Sequence, residues 1–254
     1  MRTAWRSHVG KVRQVNEDRA WTGKLENGIT AAVVADGMGG HKAGDVASGL
    51  AIDSLTQSLS AWNEDLSSET SAERLREIVR KANLAVYEMA SGNEEWSNMG
   101  TTVVLALANE RAAMIGHIGD SRAYRMRGGE LELLTEDHTL VNELAKSGQL
   151  SEEEAANHPR RNVLTRALGT DRDVAVDVSR IDWQRGDRLL LCSDGLSSLV
   201  ERRLILEALK DPRADMDQIA ERLITLALLA GGDDNITVAL IDYGADDDAE
   251  GGAS

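Results

Sequence analysis

At 254 residues, 42% apolar and 28% charged, the chain is long enough to bury a sizeable core as one large domain or two small ones. Its 28 Lys and Arg against 43 Asp and Glu give a net charge of −15, a field that repels phosphate backbones and disfavours a nucleic-acid partner. The single cysteine, Cys192, excludes an internal disulfide framework and fits a reducing compartment.

The first residues, MRTAWRSHVGKVRQVNEDR, lack the apolar stretch of a secretory signal. No window approaches the eighteen or more apolar residues of a membrane span. A soluble, cytoplasmic protein is expected. RQVNEDR sets Arg13, Glu17 and Asp18 a few residues ahead of the first central strand, the apolar run Ile29–Ala35, which leads into VVADGMGGH. A helix is predicted from about Ala43, with Asp45 in its first turn, where the helix dipole favours an acid. Leu75, Ile78, Val79, Ala82, Val86 and Met89 recur at helical spacing. Strands follow at Thr101–Ala108, Ala112–Ile118, Ala123–Met126 and Leu131–Leu134, joined by short turns such as NER and GG. Residues 136–170 form a polar insert with a basic pair, Arg160 and Arg161. Later strands are expected at Val174–Val178, Arg188–Cys192 and Ile236–Ile241, with a helix marked by Met216, Ile219, Leu223 and Ala227. Phe is absent, so Leu, Val, Ile and Ala must fill the core with a few Trp and Met. Hairpin-joined strands with segregated helices predict an α+β fold rather than a doubly wound parallel sheet. The acidic tail, residues 244–254, is expected to fray.

Acids recur where these strands end. Asp36 follows VVA, Asp194 follows LLLCS, Asp120 follows MIGHIG, and Asp233 and Asp234 precede the last strand. Each alone could be a turn residue. Together they can converge, because strands of one sheet system share ends. Converging carboxylates repel and raise one another's pKa unless cations neutralise them. A set of oxygen donors suits Mg²⁺ or Mn²⁺. The glycine after Asp36 lets a backbone carbonyl approach an ion closely. Zinc is disfavoured: the five histidines form neither HExxH nor a Cys/His set, and they read as ordinary surface or core residues. Other phosphate chemistries fail on spacing. Ser198 stands where a Cys-x5-Arg phosphatase needs arginine, DRD at 171–173 follows no apolar strand, and Gly39 to Gly44 runs into Asp45 rather than Lys-Ser/Thr. Metal-assisted hydrolysis remains.

The ordered motifs GKVRQVNEDR, VVADGMGGHKAGDVAS, MGTTVV, IGDSRAY, LTEDHT, NVLTRALG, LLLCSDGL and GGDDNITV resemble the type 2C metal-dependent protein serine/threonine phosphatases, in their bacterial single-domain form. The resemblance runs from about Thr3 to Tyr243. It implies a four-layer αββα sandwich of two antiparallel sheets, forming one domain over 1–243 with a flap at about 136–170. It implies that Asp36 bridges two Mn²⁺ or Mg²⁺ ions, that Gly37 ligates one through its carbonyl, and that Asp194 and Asp234 complete the pair of sites. Glu17 and Asp18 match acids that hold metal-bound waters, Arg13 the arginine that grips the substrate phosphate, and Asp120 a ligand of the third metal of bacterial members. Met38 stands where animal members carry a His proposed as general acid, so the leaving oxygen must take its proton from water or another group. The implied reaction is in-line attack on phosphoserine or phosphothreonine by hydroxide from a metal-bridging water. The implied partners are phosphoproteins, including a Ser/Thr kinase and its targets, with the enzyme a monomer free of membrane and nucleic acid. Two alternatives stand beside this: a catalytically silent metal-bound module that binds phosphoproteins, and a two-metal nuclease.

Overall fold

A computed structural model describes residues 1–39, 43–92, 96 and 99–244. Positions 40–42 of the glycine-rich motif and the tail from 245 onward lie outside these. In chain order the strands are β1 (Arg2–His8), β2 (Asp18–Lys24), β3 (Thr30–Met38), β4 (Gly100–Thr101), β5 (Val103–Ala108), β6 (Ala113–Ile118), β7 (Arg122–Arg127), β8 (Glu130–Leu133), β9 (Asp177–Ile181), β10 (Arg188–Cys192) and β11 (Ile236–Asp242). The helices are α1 (Ala43–Ser60), α2 (Ser71–Ser91), α3 (Leu140–Lys146), α4 (Glu152–Ala156), α5 (Asp194–Ser197), α6 (Arg202–Leu209) and α7 (Met216–Leu229).

All strand pairs are antiparallel, and they make two sheets. One runs β1-β11-β10-β7-β8; the other runs β2-β3-β5-β6-β9, with β4 paired to β3. Side-chain alternation sorts the central strands into layers. Ala32 and Val34 of β3 face the other sheet's Leu189, Leu191, Ala239 and Ile241. Ala31, Val33 and Ala35 face outward, under α1 and α2. Leu190, Cys192, Val238 and Leu240 face α6 and α7 on the opposite outer side. The result is helices, sheet, sheet, helices, an αββα sandwich. Alanines at 32, 106, 108, 113, 123 and 239 keep the middle layer thin.

Most expected elements appear within a residue or two. β1 and β2 are additions. β9 begins three residues later than the apolar run at Val174–Val178, because Val176 packs in the α1–α2 core while the ladder with β6 starts at Asp177. β3 continues through Asp36 and Gly37 to Met38, so the Asp-Gly pair lies inside a strand and not in a hairpin turn. The expected strand 101–108 breaks at Thr102, which turns to Asp36: the Asp36 N–H donates to Thr102 Oγ1 (3.1 Å) and the Thr102 N–H to the Asp36 carbonyl (2.9 Å). The insert is closed at its base by a Thr139–Leu164 bridge.

Candidate metal centre

The antiparallel registers bring the expected acids to one end of the sandwich. Asp18 opens β2 directly opposite Asp36 in β3. In the facing sheet, Cys192 of β10 pairs with Val238 of β11, so Asp194, just past one strand, comes beside Asp234, just before the other. Ser193 links the sheets: its hydroxyl donates to Asp18 Oδ2 (2.7 Å) and accepts from the Thr237 N–H (3.0 Å).

Asp36, Asp120, Asp194, Asp234, Glu17, Arg13, Gly37 and Met38 all line one cavity of about 250 Å³. Asp18 lies just behind it, buried. Asp233 is exposed and faces Gly231 instead. A wider hollow of about 710 Å³, around Lys24, Asn27 and Arg111, holds none of the expected site residues.

The cavity is short of positive charge. Arg13 is the one basic side chain among its described lining residues, and its Nη2 donates to Asp234 Oδ2 (2.9 Å) from a half-exposed position. Burial, reinforced by Asp194 and Asp234, pushes the Asp18 carboxyl up to about 7, against the hydrogen bonds from Ser193 and Thr237. Burial also lifts Asp120 to about 7, with Asp194 and Asp137 adding to it. Asp194 rises to about 6 through burial and the Asp234 charge. Asp36 is held well above the carboxylate range by burial and by Asp18, Asp194, Asp120 and Asp234. Glu17 Oε1 and Asp18 Oδ1 are buried with no hydrogen-bond partner. Such orphaned carboxylate oxygens are costly, and a divalent cation with its waters is the partner that hard oxygen donors take.

The backbone is shaped to the same end. A Cβ on Gly37 would lie 2.0 Å from the Gly44 carbonyl oxygen and 2.7 Å from that of Glu17, so only glycine fits where β3 meets α1. The Gly37 N–H donates to the Glu17 carbonyl (3.2 Å), and Ser48 Oγ of α1 donates to the same oxygen (2.6 Å). The donor set is all carboxylate and carbonyl oxygen, which fits Mn²⁺ or Mg²⁺.

Residues 6–228 match the family Protein phosphatase 2C. The chain belongs to the protein phosphatase 2C family. It is 40% identical over 245 residues to the serine/threonine phosphatase stp of Listeria monocytogenes, covering 95% of this chain and 96% of that one. It is similar to the crystal structure of the Mycobacterium tuberculosis serine/threonine phosphatase PstP/Ppp, with a TM-score of 0.85 and 39% identity, covering 96% of this chain and 99% of that one. The catalytic domain of PstP in complex with two manganese ions matches with a TM-score of 0.83 and 38% identity, covering 96% and 98%. This family member is therefore a metal-dependent protein serine/threonine phosphatase acting on phosphoproteins. Among the described residues no helix is long and apolar enough to cross a membrane.

Several residues at the site of this phosphatase escaped the reading of single motifs. Asn235 accepts the Glu17 N–H at Oδ1 (2.8 Å) and donates to the carbonyls of Val9 (2.9 Å) and Val15 (3.0 Å), holding the loop that carries Arg13 against β11. Its place beside Asp234 was the available clue. Thr102 and the insert's Asn162 and Leu164 also line the cavity, and no spacing rule marks them. His117, His138 and Asp177 gather in a separate cluster, although the sequence shows the histidines as isolated.

Proposed function

We propose that the cavity holds a pair of Mn²⁺ or Mg²⁺ ions between Asp36, the Gly37 carbonyl, Asp194 and Asp234, with Glu17 and Asp18 orienting bound waters and Asp120 serving a third ion. One observation supports this above the rest: six acids gather at one end of the sandwich with orphaned buried oxygens, and Arg13 is the one basic side chain among the described residues lining the cavity. Such ions, when bound, lower the pKa of water and screen the negative phosphoryl group. The chain's own residues do the remaining work. Asp36 and Asp194, from facing sheets, fix the width of the site. Arg13, at the rim on a loop tied down by Asn235, presents a planar guanidinium suited to two phosphate oxygens. Met38 lines the cavity and has no proton to give, so the leaving serine or threonine oxygen takes one from water or another group. Cys192 takes no part: it is fully buried and its thiol is pushed up to about 12 by burial.

The physiological reading is dephosphorylation of phosphoserine and phosphothreonine proteins, opposing a bacterial Ser/Thr kinase, by a monomeric cytoplasmic enzyme of one domain with a flap at about 136–170. The net charge of −15 supports a preference against nucleic acid. The test is purified chain, stripped with EDTA and reloaded with Mn²⁺, assayed on an aryl phosphate, a phosphothreonine peptide and DNA. Hydrolysis of the first two, intact DNA and no turnover before reloading are expected. Turnover that survives chelation, or peptide binding without phosphate release, would contradict the reading.

A further inference from the structure

A further cavity, of about 360 Å³, opens between β6, β9 and the chain that follows β8, and it shares no lining residue with the acid cavity. Its apolar walls are Ile115, Leu134, Val176 and Val178. His117 of β6 also lines it. That residue is 3% exposed, and its Nε2 is buried with no hydrogen-bond partner. Burial pushes the imidazole down to about 3, so the ring is neutral, while the Asp177 charge and a backbone hydrogen bond with Gly119 act the other way. A bond that favours the imidazolium is one the ring donates. The single proton therefore lies on Nδ1, toward Gly119, and Nε2 carries a bare lone pair.

An unmet buried acceptor beside a hollow points to a ligand. A metal ion is the first candidate, because a ring nitrogen from each of His117 and His138 and an oxygen of Asp177 lie within 4.8 Å of one another. His138 opposes it. The Gly119 N–H donates to His138 Nδ1 (3.1 Å), so that ring carries its proton on Nε2, which faces Asp177 Oδ2 at 3.1 Å. Neither nitrogen of His138 has a lone pair to spare, and His117 with Asp177 alone makes an incomplete set.

What the hollow offers is acceptors. The His117 lone pair stands at its wall, and the exposed carboxylates of Asp177 and Glu136 stand at its mouth. Asp177 accepts from Arg166 (3.1 Å) and His138, and Glu136 from Asn142 (2.9 Å), yet each carboxylate has further lone pairs to give. Arg76, the one arginine or lysine among the described lining residues, is already paired with Glu73 (3.2 Å). Two acceptors within 4.8 Å, one neutral and one charged, suit a planar cationic head with N–H donors side by side. The apolar walls suit a small hydrocarbon body behind that head.

We propose that this cavity is a second ligand site of the phosphatase, taking an amidinium or guanidinium head on a small apolar body, with N–H donors to His117 Nε2 and the Asp177 carboxylate. The same head is offered by a free small molecule and by an arginine side chain of a protein.

The test is nitrogen-15 resonance of the full chain labelled in its histidine rings, in saturating Mg²⁺, which competes for the acid cavity without broadening the signals. The probes are benzamidine, arginine blocked at both ends and, as anionic counterpart, benzoate. Benzamidine should move the His117 Nε2 resonance saturably, from that of a bare lone pair toward that of a hydrogen-bond acceptor. It should bind about 10-fold or more tightly than benzoate, the worth of a charge-assisted hydrogen bond. His117→Phe keeps an aromatic ring without the acceptor and should weaken benzamidine by about that factor. His117→Gln, whose amide oxygen can accept, should recover part of it. Tighter binding of blocked arginine than of benzamidine would assign the site to a protein's arginine, and the reverse order to a free small molecule. A His117 resonance that no probe moves, or that benzoate moves equally, would overturn the proposal. So would parental benzamidine affinity in His117→Phe, or an Nε2 signal already at the hydrogen-bonded position before any probe is added, which would leave water as its partner.

Discussion

β10 and β11 have buried or half-buried acids at both ends, and the two ends differ in what faces those acids. At one end, Asp187 is fully buried and accepts Arg127 Nε (2.6 Å) and Nη2 (2.5 Å), and Asp242 meets Arg2 (2.6 Å) and Arg188 (3.0 Å). At the other end, Asp194 and Asp234 meet Asp36, Asp18 and Asp120; Arg13 is the one guanidinium among the described lining residues, and Arg122, committed to a bidentate pair with Asp137, adds only a more distant charge. A buried carboxylate is therefore no mark of function by itself. The mark is a buried carboxylate whose counter-charge the chain does not supply.

This contrast can be broken by substitution at either end. Asp36→Asn should lower turnover on the order of 10³-fold or more, the scale seen when a group central to the chemistry is removed, with little loss of thermal stability. Steady-state assay on an aryl phosphate with saturating Mn²⁺ reads it, and near-parental kcat would contradict the contrast. Arg127→Met does the reverse. It leaves the buried Asp187 carboxylate with the Gln184 N–H but no counter-charge and should cost about 3–5 kcal/mol in urea unfolding, while kcat per folded molecule stays at the parent value. Arg13→Ala should be milder, raising KM for a phosphothreonine peptide about 10- to 100-fold, the worth of a charge-assisted hydrogen bond of roughly 1.5–3 kcal/mol.

The smallest effect concerns pH and sharpens the comparison. The folded-state carboxyls of Asp18, Asp120 and Asp194 stand at about 7, about 7 and about 6, above the unfolded value of 3.8. Between those limits these carboxyls bind more protons in the folded chain than in the unfolded chain, a contribution to stability that, without cations, falls as pH rises from about 4 to about 7 and outweighs the opposite contribution of the one buried imidazole lowered to about 3, His117. In EDTA the melting midpoint should be higher at pH 5 than at pH 8. Mn²⁺ should reverse that order, since it competes with protons for the same oxygens. Equal midpoints in EDTA at the two pH values would show that the acids are not packed as described.

The sequence displayed β3, β10 and β11 well because their residues are buried on both faces, so their apolar runs are nearly unbroken. It concealed β1 and β2. These are edge strands, RTAWRSH and DRAWTGK, whose partly exposed residues dilute any alternation. The acids were legible as strand-end motifs in a family order, but the register that sets Asp18 against Asp36 depends on β2, which no pattern announced. Asn235, Thr102 and Ser193 act through backbone or carboxylate groups far away in sequence, and such bonds leave no local spacing to read. The pairing of His138 with Gly119 is of the same kind.

The measurement that bears most directly on the acid end is calorimetric titration of EDTA-stripped, desalted protein with Mn²⁺ at pH 7.5, comparing the parent chain with Asp36→Asn. At least two ions per parent chain, with the tight class abolished by the substitution, is the predicted result. Superimposable isotherms for the two proteins, or no binding by the parent, would contradict it.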